Sequence, residues 1–462
     1  MKNMTLQNIA EACRGKLYGG RKSGREASCV VIDSRKIEKN GIFIATKGER
    51  VDGHDFIPQV VQKGALGVVC EKEPENSDIP YILVKDSFQA LKDIAEFYRR
   101  ELSIPIIGIT GSVGKTSTKE MIASVLSEGF CVLKTEGNFN NEVGLPLTIL
   151  RIRKEHEAAV LEMGISNFGE MHRLSKIARP DMCVMTNIGQ CHLENLGSRE
   201  GVLRAKSEIL DYANPEGHVF VNGDDDMLCR IKKKGIYEPV RFGQNPTNEV
   251  FASNVVNRGL LGSKAVIHMG LEVFPIEISL PGIHMVNNAL AAAAVGKCMG
   301  LTKEQIQAGI LKAEAVGGRS HVISLPAYTV IDDCYNANPV SMKAAIDLLT
   351  MAIGRKVAVL GDMFELGEGE NKLHEEVGNY AAQKGIDVLL FTGSLSRRMY
   401  EGAHQANKKS EIHYFETKDM MLDSLNEILK PGDSILVKAS HGMQFEEVIR
   451  FLTASEHKGE KI

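Results

Sequence analysis

The chain has 462 residues, 25% of them charged and 43% hydrophobic, with 55 Lys and Arg against 59 Asp and Glu for a net charge of −4. That length points to two or three domains with sizeable cores, and the charge balance argues against a general nucleic-acid binder. No apolar run approaches the ~20 residues of a membrane span. The N-terminal stretch "MKNMTLQNIAEACRGKLYGG" lacks the apolar core of a signal peptide, so a cytoplasmic protein without membrane insertion is expected.

In chain order, three blocks separate by pattern. Residues 1–102 carry short β-branched runs at 29–33, 41–45, 66–70 and 81–84, with a helix at "TLQNIAEAC" capped by Thr5. Residues 103–324 alternate strand and helix. The strand 104–111 feeds the helix of "KTSTKEMIASVLSEG", striped by Met121, Ile122, Val125 and Leu126. Apolar strands follow at 158–164, 182–189 and 218–225, then antiparallel strands within 250–280 and an Ala-rich helix near 285–299. Residues 325–462 repeat the alternation with strands at 328–333, 356–362, 387–393 and 433–440, and end in a polar tail, "SEHKGEKI", expected to fray. Continuous apolar strands between helices mark parallel sheets covered on both faces. The expected fold is therefore α/β in three domains: a small N-terminal α/β domain, a central domain with a mainly parallel sheet, and a C-terminal Rossmann-like domain. Nine cysteines with no Cys-x-x-Cys spacing read as reduced thiols.

The strands of the second and third blocks end in small or polar residues: Glu162, Thr186 with Asn187, Asn222, Asp332 with Asp333, Asp362 and Ser440. Open α/β sheets bind ligands outside the carboxyl ends of their strands, so a site is expected there.

"GITGSVGKTSTKEMI", beginning at Gly108, carries the strongest signal. Gly111 and Gly114 let the backbone of Ser112 and Val113 curl so that its N–H groups face phosphate oxygens. Lys115 adds a charge near the terminal phosphates, and the Thr116 hydroxyl, followed by Ser117, suits Mg²⁺. Ile109 occupies the first glycine position of the common phosphate-loop spacing, and Gly108 lies one residue earlier. The alternative is a glycine-rich turn with a stray lysine; the strand before it and the helix after it favour nucleotide binding.

Glu162 and His192 follow apolar strands of the same block and can approach this loop to hold metal, although His192 alone also reads as a hydrogen-bonded loop histidine. Lys206 falls inside the apolar face of "REGVLRAKSEIL", where it either snorkels outward or lies desolvated with a reactive neutral amine. His284, Asn287 and Asn288 stand at a helix start, as caps or as contacts to a base or ribose. Asn338-Pro339 is explained by turn chemistry alone, or by a site beyond the strand end.

These stretches as a set resemble the Mur ligase family, over nearly the whole chain. The resemblance rests on "DSRKIEKNGIFIATKGERVDGHDFI" (33–57), "TGSVGKTSTKE", "GNFNNEVGLP" (137–146), "LEMG", "TNIGQCHLE", "KSEIL", "GIHMVNNALAA", "GGRSHV" (317–322), "DDCYNANPVSM", "GDMFELG" and "LVKASHGM". The phosphate loop marks the superfamily. The first-block segment and "YNANP" narrow the likeness to the branch that adds D-alanyl-D-alanine to a UDP-N-acetylmuramoyl-tripeptide in peptidoglycan precursor synthesis.

The resemblance implies an ATP-driven ligase in which the substrate carboxylate takes the γ-phosphoryl group and the incoming amine attacks the acyl phosphate. It implies UDP-sugar binding by residues 1–102, ATP binding by 103–324 and a ligase role for 325–462. Lys115 and two Mg²⁺ would meet the transferred phosphoryl group, with Thr116 and Glu162 on one metal and His192 on the other. Lys206 matches the family's carbamoylated lysine, which resolves the earlier choice against snorkelling. Asn288 would meet adenine, and Arg319 with Asp333 phosphate or ribose. Ser34, Arg35, Lys47 and His54 are candidates for the UDP-sugar. Asn138, Asn140, Asn141, Tyr335, Asn336, Asn338, Lys438, Ser440 and His441 complete the substrate side. His441 stands where the family pattern has arginine, next to the implied dipeptide carboxylate site, and a histidine there carries less charge at neutral pH. The implied partners are small-molecule substrates, with no nucleic acid, and a monomer is expected.

Three other readings compete. A folylpolyglutamate synthase would share the two larger domains but lack the first-block segment. A phosphate-loop kinase or GTPase would leave Lys206 and His192 without a role, and no guanine-reading N-K-x-D is present. A non-catalytic nucleotide switch has no use for Glu162, His192 and Lys206 together.

Overall fold

The computed structural model describes residues 1–19, 24–75, 79–231, 238–406 and 409–454, so the tail 455–462 lies outside the described residues. Three sheets organise the chain. The first has five strands in the order Lys16–Tyr18, Tyr81–Leu83, Gly67–Cys70, Ile42–Ile44 and Val30–Val31, parallel except for the Lys16–Tyr18 edge. The central sheet has nine strands: Glu272–Ile278, Ser263–Met269, Val250–Asn257, Val240–Gly243, His218–Asn222, Met182–Met185, Ile106–Thr110, Ala158–Glu162 and Val132–Lys134. The third has six: His321–Ser324, Tyr328–Asp332, Asp433–Lys438, Lys356–Gly361, Val388–Thr392 and Glu411–Phe415.

Burial follows the sequence pattern. Ile106–Thr110 and Ala158–Glu162 are buried at every position, as strands covered by helices on both faces must be. Ser263–Met269 alternates buried with more exposed residues, as an antiparallel strand with one wet face does, and it pairs antiparallel with both neighbours. Strand 250–257 carries a bulge between Ser253 and Val256. The Ala-rich helix Met285–Cys298 packs on the helix Lys115–Leu126 and the central sheet, its alanines letting the backbones approach.

Ile106–Thr110 is flanked by Met182–Met185 on one side and Ala158–Glu162 on the other, so the chain builds the sheet first to one side of it and then to the other. That switch point opens a crevice at the carboxyl ends of these strands. One apolar core is continuous from the first sheet to one face of the central sheet. A second fills the other face of the central sheet, and two more cover the faces of the third sheet.

Candidate functional site

The phosphate loop stands at the switch point. A Cβ on Gly111 (φ 155°) would lie 1.9 Å from Thr186 Oγ1, and Gly114 (φ 81°) takes the left-handed conformation that starts the helix Lys115–Leu126. The neighbouring strand end clamps the loop. Asn187 Oδ1 accepts from Val113 N–H at 2.9 Å, while Thr186 Oγ1 and Asn187 Nδ2 donate to Val113 O at 2.7 and 2.8 Å. Lys115 Nζ donates to Gly111 O at 2.9 Å, so the amine is folded back over the loop.

Thr116 Oγ1 donates to Glu162 Oε2 at 2.7 Å, and Asn140 Nδ2 donates to Glu162 Oε1 at 2.8 Å. A residue of the helix start and one of the "GNFNN" loop thus converge on the buried carboxylate at the end of strand Ala158–Glu162. Lys206 is 1% exposed, and no hydrogen bond or ion pair to its amine occurs among the described residues. Burial, assisted by the nearby Lys115 charge, pulls its pKa down to about 8. His192 (φ 51°) caps the short helix Leu193–Leu196, and its Nδ1 lies 2.6 Å from Glu365 Oε2, as an ion-pair contact without the alignment of a hydrogen bond. The His192 ring holds the Glu365 carboxyl below its ordinary pKa.

The third sheet supplies the opposite wall. The Arg319 guanidinium lies 4.1 Å from the Tyr335 ring centre, and His441 stands against the same ring at 5.3 Å. Lys438, almost fully buried, pairs with Asp333 Oδ2 at 2.6 Å and donates to Asn336 O at 2.9 Å. Asp333 also accepts from Ser320 N–H at 2.8 Å.

A cavity of about 660 Å³ joins the two walls. From the central domain it takes Ser112 to Lys115, Ser117, Asn140, Asn141, Glu162, His192 and Asn288. Arg319, Asp333, Tyr335, Asn336, Asn338 and Lys438 face it from the other side. Gly111, Thr116 and Lys206 lie behind these walls. Asn138, Ser440 and His441 are also outside the lining.

The strand-end expectation holds for Glu162, Thr186, Asn187, Asn222 and Asp333, which line the cavity, and not for Asp332, Asp362 and Ser440. Asp362 Oδ1 instead accepts from Ser396 N–H and Oγ–H at 2.7 and 2.6 Å, and Ser440 Oγ accepts from Phe364 N–H at 2.8 Å; both residues tie loops of the third sheet together. Asn338 is the N-cap of the helix Pro339–Thr350, in a capping box with Ser341, and it lines the cavity as well.

The first-block candidates lie apart from this cavity. Ser34 Oγ donates to Gln59 at 3.1 Å, and the exposed Arg35 is paired with Asp33 at 2.9 Å. Lys47 bridges to Asp52 through the backbone. His54 is engaged at both ring nitrogens. Nε2 accepts from Glu71 N–H at 2.9 Å, which puts the ring proton on Nδ1, donated to Asp52 at 2.6 Å. Two participants escaped the sequence reading. Thr118 donates to Asn288 Oδ1 at 3.0 Å, and Glu365 meets His192. Each is one residue in a polar stretch with no periodicity to single it out.

Among the described residues no three His, Cys, Asp or Glu side chains form a ready metal cluster. Thr116 and Glu162 nevertheless offer the kind of oxygen donors that a hard divalent cation takes beside phosphates and water.

A switch-point phosphate loop facing a second α/β domain across one cavity defines a multidomain nucleotide-dependent enzyme. Comparison with known proteins specifies it further. Family models for the Mur ligase family catalytic domain, the Mur ligase middle domain and the Mur ligase glutamate ligase domain match residues 26–99, 109–296 and 318–441. The chain is 39% identical to the UDP-N-acetylmuramoyl-tripeptide--D-alanyl-D-alanine ligase of Bacillus subtilis (strain 168), over 98% of this chain and 99% of that one. It is similar to a crystal structure of MurF from Acinetobacter baumannii, with a TM-score of 0.86 and 32% identity over 97% of this chain and 98% of that one. It is also similar to MurF ligase from Thermotoga maritima in complex with ADP, with a TM-score of 0.80 and 30% identity over 93% and 98% of the two chains. The chain belongs to the Mur ligase family.

Proposed function

We propose that the protein is an ATP-dependent ligase that joins D-alanyl-D-alanine to a UDP-N-acetylmuramoyl-tripeptide, releasing ADP and phosphate. The observation that carries this reading is the single cavity in which the phosphate loop of one domain faces Arg319, Asp333 and Lys438 of another. A phosphoryl donor and a carboxylate acceptor held together in one enclosed cavity are what activation of a carboxylate requires. The names of the relatives above supply the substrates, and the ADP complex supports the nucleotide.

A carboxylate is a poor electrophile. Its oxygen attacks the γ-phosphorus of ATP, ADP departs, and the acyl phosphate now carries a good leaving group. The dipeptide amine attacks the carbonyl carbon, loses a proton and expels phosphate. Gly111 to Ser117 would cradle the phosphates, with Lys115 countering the charge that builds on the transferred oxygens. Asn288 would stand at the adenine, and Arg319 and Asp333 would reach phosphate or ribose. Asn138, Asn140, Asn141, Tyr335, Asn336, Asn338, Lys438, Ser440 and His441 would hold the peptide and dipeptide. Ser34, Arg35, Lys47 and His54 would serve the UDP-sugar, His54 by fixing its loop, since its ring nitrogens are taken. Enclosure between two domains protects the acyl phosphate from water.

Mg²⁺, bound at Thr116 and Glu162 and, as a second ion, at His192, would neutralise charge on the phosphates. Lys206 would hold that second site as a carbamate, formed when its neutral amine adds CO₂ and releases a proton. The buried, unpaired amine supports this assignment. A cytoplasmic monomer without nucleic-acid partners completes the reading; no helix of the described residues is long and apolar enough to cross a membrane.

The deciding measurement is phosphate release from ATP and Mg²⁺ with UDP-muramoyl-tripeptide, with and without D-Ala-D-Ala. Release that requires both acceptor substrates is expected. Release indifferent to the muramoyl substrate would overturn the assignment.

A further inference from the structure

His192 and Glu365 belong to loops of different sheets and meet at 2.6 Å. Both take left-handed backbone conformations, φ 51° and φ 62°, which are uncommon for non-glycine residues. Gly367 (φ 71°) takes a left-handed turn where the second loop passes the first, at ordinary contact distance from Glu194. The Glu365 loop is fastened to its own domain, Phe364 N–H donating to Ser440 Oγ at 2.8 Å and Ser440 N–H to Asp362 O at 2.9 Å. The His192 loop is fastened to the phosphate loop, Ser112 N–H donating to Asn187 O at 3.0 Å and Gly189 N–H to Ser112 Oγ at 2.8 Å.

His192 Nδ1 is shut off from solvent, and Glu365 is the ionic partner within reach of it among the described residues. The ring itself lines the cavity. A metal-binding histidine generally gives its other ring N–H to a carboxylate, which fixes the tautomer, turns the ring and raises the basicity of the ligating nitrogen. Here that carboxylate comes from across the domain boundary.

We infer that Glu365 is a positioning residue for His192: its carboxylate, 2.6 Å from Nδ1, accepts the Nδ1 proton in a hydrogen bond once a metal engages Nε2, so the His192 end of the metal site is complete only while the C-terminal domain is docked. The inference rests on the reading of His192 as a metal ligand. It makes metal affinity, and not nucleotide affinity, depend on a residue that touches neither metal nor nucleotide.

The test measures Mn²⁺ binding to the full-length protein with ADP, read from the free-Mn²⁺ electron paramagnetic resonance signal. Wild type is compared with Glu365→Ala, Glu365→Gln, His192→Ala and the double variant His192→Ala/Glu365→Ala; ADP affinity in EDTA serves as the control. Glu365→Ala is expected to weaken Mn²⁺ by about 10–100-fold with ADP affinity in EDTA unchanged. Glu365→Gln, whose amide oxygen still accepts Nδ1–H, should retain most of the affinity, and Glu365→Ala should have no further effect once His192 is gone. Wild-type Mn²⁺ affinity in Glu365→Ala, with a loss in His192→Ala, would overturn the positioning role and leave the ligand reading standing. Unchanged affinity in His192→Ala would overturn both. An equal loss from Glu365→Ala with and without His192 would mean that Glu365 does not act through the ring.

Discussion

A lysine amine buried without a counter-charge weakens the fold and sharpens its own reactivity at once. Lys206 has both properties, with its pKa pulled from 10.5 to about 8 by burial and by Lys115. Between those values the unfolded chain binds the proton and the folded chain does not, so stability rises with pH across that window. Below about pH 8 the full penalty stands, roughly 3 kcal/mol at ~1.4 kcal/mol per pH unit, before any relaxation of the site. Lys206→Met keeps the volume and removes the charge. In CO₂-depleted, metal-free and nucleotide-free buffer it should therefore raise the urea midpoint at pH 7, and the gain should fade toward pH 10.5. A gain independent of pH would show that the amine is not the source. The same substitution should abolish ligation. Lys206→Ala should also lose it and regain part when short carboxylates such as formate or acetate are added, because they can occupy the place of the carbamate. Absence of any regain would count against the carbamate.

At the scale of the element, the phosphate loop depends on a backbone that only glycine tolerates. Alanine at Gly111 would drive a methyl group into the Thr186 hydroxyl, 1.9 Å away, and displace the Val113 turn that Thr186 and Asn187 hold. Gly111→Ala is expected to weaken ATP by at least about tenfold, equivalent to ~1.4 kcal/mol, while the helix Lys115–Leu126 keeps its buried face and the fold survives. Calorimetric titration with ATP checks this, and unchanged affinity would move the phosphate site elsewhere.

This loop was legible in the sequence because glycine spacing, strand and helix all report one local geometry. So were the buried strands, whose apolar runs need no partner to be recognised. Val132–Lys134, Val240–Gly243, His321–Ser324 and Glu411–Phe415 were not. Short strands with polar residues draw their β character from the neighbour they pair with. Glu365 was illegible for the same reason at the level of the site. Its role exists only through a contact made 173 positions away in the chain (365 − 192), and nothing in "GDMFELG" by itself points to an imidazole.

Across the whole molecule the three sheets are joined unequally. The apolar core shared by the first and central sheets runs through the helix Ser87–Arg100, whose Leu91, Ile94 and Tyr98 are fully or almost fully buried. Tyr98 Oη–H donates to Ile152 O at 2.6 Å. Arg99, 7% exposed, donates to Leu102 O in its own domain and, at the edge of the central domain, to Ala178 O and Arg179 O, and pairs there with Asp181 at 2.9 Å. The cores of the third sheet draw on residues from 323 onward, apart from the half-buried Leu260. Its contacts with the rest share no continuous core: they are polar at His192 and Glu365 and small apolar ones where Leu260 enters its core and Gly259 lies against Met351. Units that share a core unfold together, and a domain with cores of its own and only small contacts to its neighbour does not have to follow. Calorimetry of the nucleotide-free protein should therefore resolve two transitions, the larger belonging to the first and central domains. Arg99→Ala leaves Asp181 without its ionic partner and should cost about 3 kcal/mol, lowering the larger transition by several degrees and leaving the smaller where it was. A single transition that shifts as a whole would mean that the third domain is as firmly joined as the first. Independent melting places the freedom to open at the boundary where the cavity lies, which is where a ligase must admit two substrates and then exclude water.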